Sequence, residues 1–174
     1  MKTLYLLRHA KSSWDDLRQP DSARPLNARG LQDGMAMAEH LARAGVAPQT
    51  ILCSPARRTR ETLALVLPYL PGTPTLRIVP ELYLASPETL LAQVRAVADN
   101  TDRLLVIGHN DGLHQFAHAL ICAGDEGLRE RLAEKYPTAA FSHISFDPDH
   151  WREIAFGLGR LERFTIPRDL ACPA

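Results

Sequence analysis

A chain of 174 residues, 45% of them hydrophobic, can bury a core without disulfides or a structural metal and fits one domain, residues 1–174. Lys plus Arg and Asp plus Glu number 20 each, so there is no global field to favour nucleic acid or an anionic membrane, and any anion preference must be local. Cys53, Cys122 and Cys172 are odd in number and lack metal spacing, which argues against a disulfide framework or zinc site, and with no apolar run of bilayer length the expectation is a soluble cytoplasmic protein.

The first element is an apolar, β-prone run, Thr3–Leu7, that stops on Arg8 and His9. Two polar residues capping a strand would be unremarkable alone. At the carboxyl end of a strand in an α/β sheet, however, a cation beside an imidazole suits an anionic ligand, phosphate first. The segment from Lys11 through Pro20, Arg24 and Pro25 reads as an ordered loop, of the kind that carries function where it leaves a strand end. Asn27 can cap a helix with Leu31, Met35, Ala38 and Leu41 on its apolar side and Gly45 as its stop.

Thr50–Cys53 is a short buried strand, and Ser54-Pro55 is expected to start a helix with proline at its first position. Arg57, Arg58 and Arg60 then fall in the first turns, where the helix macrodipole does not favour cations, so they ask for an anion or an acidic partner. A solvated basic helix face would account for them equally well. Pro68 and Pro71 end that helix, Thr75–Val79 is a third strand closed by Pro80 and followed by Glu81, and Ser86-Pro87 opens a helix with Leu90, Leu91, Val94 and Val97 inward.

Arg103–Ile107 is a fourth, strongly apolar strand that delivers Gly108 and His109 to its end, with a helix following through Leu113, Phe116, Ala117 and Leu120. Asp125 to Lys135 reads as a mostly solvated helix. Ala139–Phe146 and Trp151–Leu158 read as a hairpin around Pro148-Asp149. Strands and helices that alternate early, with a hairpin late, predict a three-layer α/β/α sandwich on a mixed, mainly parallel sheet.

Arg8 and His9 after the first strand, Ser54 with Arg58 and Thr62 after the second, Glu81 after the third and Gly108-His109-Asn110 after the fourth are more specific together than any part. The set resembles the histidine phosphatase superfamily, also called phosphoglycerate-mutase-like, whose Arg-His-Gly signature reads Arg8-His9-Ala10 here. Leu7-Arg-His-Ala-Lys-Ser-Ser-Trp14, Arg24-Pro-Leu-Asn-Ala-Arg-Gly30, Glu81-Leu-Tyr, Gly108-His-Asn and Pro167-Arg-Asp-Leu170 are similar to the short SixA-type phosphohistidine phosphatase branch, and the resemblance spans essentially the whole chain.

The resemblance implies that His9 is the nucleophile, that Arg8, Arg58 and His109 surround the transferred phosphoryl group with Ser12 and Asn110, and that Glu81 lies where a general acid and base is often found. The chemistry agrees. Charge spreads over the phosphoryl oxygens in flight, so guanidinium forks and an imidazolium can do the stabilising with no metal or cofactor required. The same cations should lower the pKa of His9 and keep one ring nitrogen free to attack, giving a phosphohistidine intermediate that water hydrolyses. His40, His114, His118, His143 and His150 match no metal spacing and are expected on surfaces or helix faces.

Departures from the pattern are Ala10 for the usual glycine, Ala23 where many members have Asp, and Asp111 where proline is common; Asp111 can cap the following helix or temper affinity for acidic ligands. The leading expectation is a metal-independent phosphatase of phosphohistidine on proteins. A small-molecule phosphomonoesterase with the same site is the alternative. A mutase, which would carry insertions this chain lacks, and a noncatalytic phosphate or phosphopeptide binder rank below it. Short connections leave only the Lys11–Pro25 loop as cover, so the pocket is expected to be shallow and open, with Trp14 available to a partner.

Overall fold

Along Lys2–Arg8 (β1) successive side chains point to opposite faces of the sheet, and both faces are covered. Leu4 and Leu6 join one buried cluster and Tyr5 and Leu7 the other; Arg103–Gly108 (β4) divides likewise, Leu104 and Val106 from Leu105 and Ile107. Strands buried on both sides read as continuous apolar runs, which is why these were legible. The computed structural model describes residues 1–171, so Cys172 lies outside the described residues.

The remaining strands are Thr50–Cys53 (β2), Thr75–Ile78 (β3), Ile121–Gly124 (β5), Phe141–Phe146 (β6) and Gly159–Thr165 (β7), and all seven form one sheet in the order β3-β2-β4-β1-β6-β7-β5. The pairs β3·β2, β2·β4 and β4·β1 are parallel, and β6 runs antiparallel to both β1 and β7. Helices Ala28–Arg43 (α1) and Arg57–Val66 (α2) cover one face with Met37, Ala38, Leu41, Leu63 and Val66. Pro87–Arg95 (α3) and Gly112–Leu120 (α4) cover the other with Leu90, Leu91, Val94, Leu113, Phe116 and Leu120. Each of the larger of these side chains, fully buried, contributes about 1.5–3 kcal/mol. Glu126–Glu134 (α5) and Pro167–Leu170 (α6) complete the chain, and no helix among the described residues is long and apolar enough to cross a membrane.

Three expectations need correction. The stripe of α1 that faces inward is Gly30, Gly34, Met37, Ala38 and Leu41, whereas Leu31 and Met35 are 48% and 37% exposed. Small residues at helical spacing bring α1 close to the segment after His9, and weighting large side chains misplaces the face. Helix α2 begins at Arg57 rather than at Ser54-Pro55: Ala56, with a ψ of 147°, is its non-helical N-cap, and the Ser54 hydroxyl meets His109. The late hairpin uses β7, with Trp151 in a 3-10 turn instead of a strand: its indole Nε1 donates to the Thr101 carbonyl and the ring is wholly buried. Strand β5 was not expected at all, since Ile121–Gly124 is too short to carry a period.

Adjacent strands β1 and β4 send the chain to opposite faces, into α1 and α4, which opens a crevice at their carboxyl ends. Gly30 is the closest approach of α1 to that crevice: its amide donates to the Asn27 cap at 2.8 Å, and a Cβ there would overlap the Lys11 carbonyl oxygen. Gly30→Ala should therefore push the backbone beside His9, lowering the Tm by an amount equivalent to about 1–3 kcal/mol. Thermal denaturation of the purified variant checks this, and an unchanged Tm would contradict the close approach.

Candidate active site

Register brings the two motif histidines together. Arg8 pairs with Gly108 across the parallel β1·β4 ladder, and the His9 amide donates to the Gly108 carbonyl at 3.2 Å, so His9 and His109 leave adjacent strand ends side by side. Their ring centroids are 5.3 Å apart and both residues are buried. Strand β2 contributes Ser54, whose amide donates to the Ile107 carbonyl at 3.1 Å, and α2 then carries Arg58 inward.

The hydrogen bonds determine which ring nitrogens carry protons. His9 Nδ1 lies 2.7 Å from the Ala10 carbonyl, which only accepts, so Nδ1 bears the hydrogen and Nε2 of the neutral ring keeps its lone pair. His109 Nδ1 faces an Arg58 Nη2 donor at 3.2 Å, leaving Nε2–H to donate to Ser54 Oγ at 2.6 Å. Burial and the neighbouring Arg58, Arg8 and Arg24 guanidiniums push His9 down to about 4, against the Ala10 hydrogen bond. Burial, then Arg58, push His109 down to about 3. Both rings are thus neutral near pH 7, where the expectation had been an imidazolium beside the guanidinium forks.

Arg8 donates from Nη1 to the Tyr136 carbonyl at 3.0 Å, and Asn110 Nδ2 donates to the same oxygen at 2.8 Å. Burial lowers the pKa of Arg8, with Asp111 opposing. Asp111 makes no capping hydrogen bond with its side chain, so its part here is as a charge near Arg8. Arg58 donates to the Asp21 backbone carbonyl at 2.7 Å and to its carboxylate at 3.0 Å. Among the described residues Arg8 Nε, Arg58 Nε and Asn110 Oδ1 are buried polar atoms without a partner, and all belong to this site.

A cavity of about 560 Å³ opens over these groups, with Arg8, His9, Ser12, Arg58, His109 and Asn110 all on its wall. The Ser12 hydroxyl accepts from Arg24 Nη1 at 2.7 Å. Glu81 is not brought here: it is exposed in the 3-10 turn Pro80–Leu82 and does not line the cavity. The carboxylate in the cavity is that of Asp21. It accepts from Tyr83 Oη, from Arg58 and from Arg24 Nε, and these bonds, overcoming the opposing effect of burial, hold it well below the usual carboxylate range. Asp21 is missing from the sequence reading, and Arg24 and Tyr83 enter it only within quoted motifs and not as site residues, although an Asp and an Arg three apart in a segment bounded by Pro20 and Pro25 are a usable signal. Among the described residues no three His, Cys, Asp or Glu side chains group as metal ligands.

The family model for the histidine phosphatase superfamily (branch 1) matches residues 4–82. The uncharacterized protein Rv1276c of Mycobacterium tuberculosis is 34% identical over 93% of this chain and 100% of its own length. Among solved structures, the protein assigned as phosphohistidine phosphatase SixA from Agrobacterium tumefaciens superposes with a TM-score of 0.80 at 27% identity, covering 95% of this chain and 98% of that one. Its counterpart from Nakamurella multipartitia does so with a TM-score of 0.82 at 26% identity, covering 95% and 96%. The chain belongs to the histidine phosphatase superfamily. Within it the chain is of the SixA type, and it is a phosphatase.

The depressed imidazoles link the site to stability. Both rings stay neutral in the folded protein down to about 4 and about 3, while in the unfolded chain they take up protons below 6.5. Stability is therefore full above pH 6.5 and declines as the pH falls toward 4, a window above that of ordinary carboxylates. The Tm of the wild type should drop across this window, and His9→Ala should flatten the slope; equal slopes in a pH series of melting curves would contradict the assigned neutrality.

Proposed function

We propose that this phosphatase hydrolyses phosphohistidine on a protein through a phosphorylated His9. The observation that carries the reading is the Nδ1–H bond of His9 to the Ala10 carbonyl, which leaves Nε2 unprotonated in a cavity walled by Arg8, Arg58 and His109. The low pKa of His9 keeps that lone pair available throughout the neutral range.

In the first step His9 Nε2 bonds to phosphorus as the P–N bond of the substrate breaks. The electron pair of that bond leaves with the substrate imidazole, which departs neutral because its other nitrogen carries the proton. Arg8 and Arg58 neutralise the phosphoryl oxygens, and the unpartnered Nε atoms of both are donors in reserve. Nδ1–H of His9, held by the carbonyl, stabilises the positive ring that phosphorylation creates.

In the second step water attacks phosphorus and the P–Nε2 bond returns its electrons to His9. Asp21 takes the carboxylate role in this reading in place of Glu81. Held ionised by Tyr83, Arg58 and Arg24, it has no proton to donate at neutral pH and is too weak a base to take one, so its part is to orient the water by accepting a hydrogen bond while the water's proton leaves on the released phosphate. A phosphohistidine substrate, which brings its own protonated leaving group, tolerates such a site better than an alkyl phosphate. The odd cysteine count is the basis for placing the enzyme in the cytoplasm.

Rapid-quench trapping with a labelled phosphohistidine protein tests the two steps. Wild type should form an acid-labile, alkali-stable phosphoenzyme, His9→Ala should form none while remaining folded, and Asp21→Asn should accumulate it as hydrolysis slows. Undiminished turnover by folded His9→Ala would overturn covalent catalysis. Specificity constants should favour a phosphohistidine protein over sugar, glycerate and nucleotide monophosphates, because an open cavity lacks the enclosing walls that select small ligands. A small monoester winning by a large factor would transfer the same residues to phosphomonoester hydrolysis.

A further inference from the structure

The cavity over His9 does not end there. Arg29, Lys135, Pro137 and Thr138 line both it and a second cavity of about 480 Å³, whose wall adds the cations Arg131 and Arg168 and the carboxylates Asp33 and Glu134, so cations outnumber acids there by four to two. Lys11 and Lys135 have no ion-pair partner among the described residues, and Arg29 meets Asp33 only at 3.6 Å with its side chain 70% exposed. Arg131, by contrast, is already taken by both oxygens of Asp169 at 2.8 Å. One phosphoryl group has too few oxygens to engage Arg8, Arg58 and these outer cations as well.

Apolar side chains stand at the same mouth. Trp14 and Leu84 line the cavity yet are 65% and 55% exposed. The Arg24 guanidinium stacks 3.6 Å from the Trp14 ring centroid, which presents the indole in a preset orientation. Leu84 has a φ of 48°, a left-handed backbone that a leucine rarely adopts and that carries its side chain outward at the site. Exposed anchors beside unpaired cations are the makings of a contact with a polypeptide rather than with a free anion.

Resting on the protein-substrate reading above, we propose that Lys11, Arg29, Lys135 and Arg168, with Trp14 and Leu84, form a docking rim for an acidic segment flanking the substrate phosphohistidine. Acidic side chains on that segment pair with the outer cations and steer its approach, while Trp14 and Leu84 supply apolar contact. The catalytic groups distinguish phosphate from other anions; the rim distinguishes one phosphohistidine protein from another.

Peptides of equal length carrying one phosphohistidine between acidic, neutral or basic flanks test the proposal, with phosphoramidate as a substrate too small to reach the rim. The wild type should hydrolyse the acidic-flank peptide with the highest kcat/KM, and added salt should erode that advantage. The double variant Arg29→Glu, Lys135→Glu should lose about tenfold in kcat/KM on the acidic-flank peptide, gain on the basic-flank peptide, and keep its phosphoramidate turnover, which also reports that it is folded. Wild type indifferent to the flanks, or a variant that retains the acidic preference, would overturn the rim alone. Equal losses on every substrate including phosphoramidate would also overturn it, by making these residues part of the phosphate site. Wild type active on phosphoramidate but on no peptide would bring down the protein-substrate reading, and the rim with it.

Discussion

The parallel pairing of β1 with β4 is the constraint from which the rest of the site follows. Because Arg8 and Gly108 are partners in register, the next residues on both strands are histidines facing one crevice, and a slip of one position would turn one of them to the opposite side of the sheet. The crevice exists because those two strands feed helices on opposite faces. Apolar side chains on both faces of β1, β2 and β4 hold the register, so the core and the catalytic geometry are one structural fact.

A pocket that gathers this much positive charge needs internal compensation before any ligand arrives. Asp21 lies against Arg58 and Arg24, the Tyr136 carbonyl accepts from Arg8, and both histidines stay neutral. Tyr136 serves twice: its carbonyl holds Arg8 and Asn110, while its buried hydroxyl donates to the Leu6 carbonyl on β1 and meets Ser142 on β6. Arg8 and Asn110 are thus tied through Tyr136 to both β1 and β6. Arg8, Arg24 and Arg58 are therefore largely engaged within the protein rather than left as a field of unpaired charge.

The departure at Ala10 also has a structural setting. Ala10 is wholly buried, its amide donates to Thr62 Oγ1 at 2.9 Å, and it packs in a small cluster with Leu26 and Ala139, close to Gly34 of α1. The methyl group lies beside Gly34, at ordinary van der Waals distance from where a Cβ there would stand. The segment after His9 and α1 are therefore fitted to each other through small residues, and small residues carry little of the apolar pattern by which a buried helix face is recognised.

What the sequence determined by itself was whatever depends on local pattern: doubly buried strands as apolar runs, helix caps at Asn27 and Ser86, and Arg8, His9 and His109 at strand ends, which made the mixed sheet legible, while Arg58 was set apart from the neighbouring arginines only by the family resemblance. Tertiary structure decided what depends on partners distant in sequence. Trp151 left the strand expected of it because the Thr101 carbonyl and a buried site claimed its indole, and β5 exists only because β7 is there to pair with it. Glu81 follows the third strand as expected, but the turn after β3 leaves its carboxylate in solvent and brings Tyr83, two residues on, to Asp21 in the cavity instead. Asp21 reaches the cavity because Arg58 lies 37 residues away and Tyr83 lies 62 residues away, yet both converge on its carboxylate. A charge acquires its role from the groups it meets, and those meetings are set by the fold rather than by spacing along the chain.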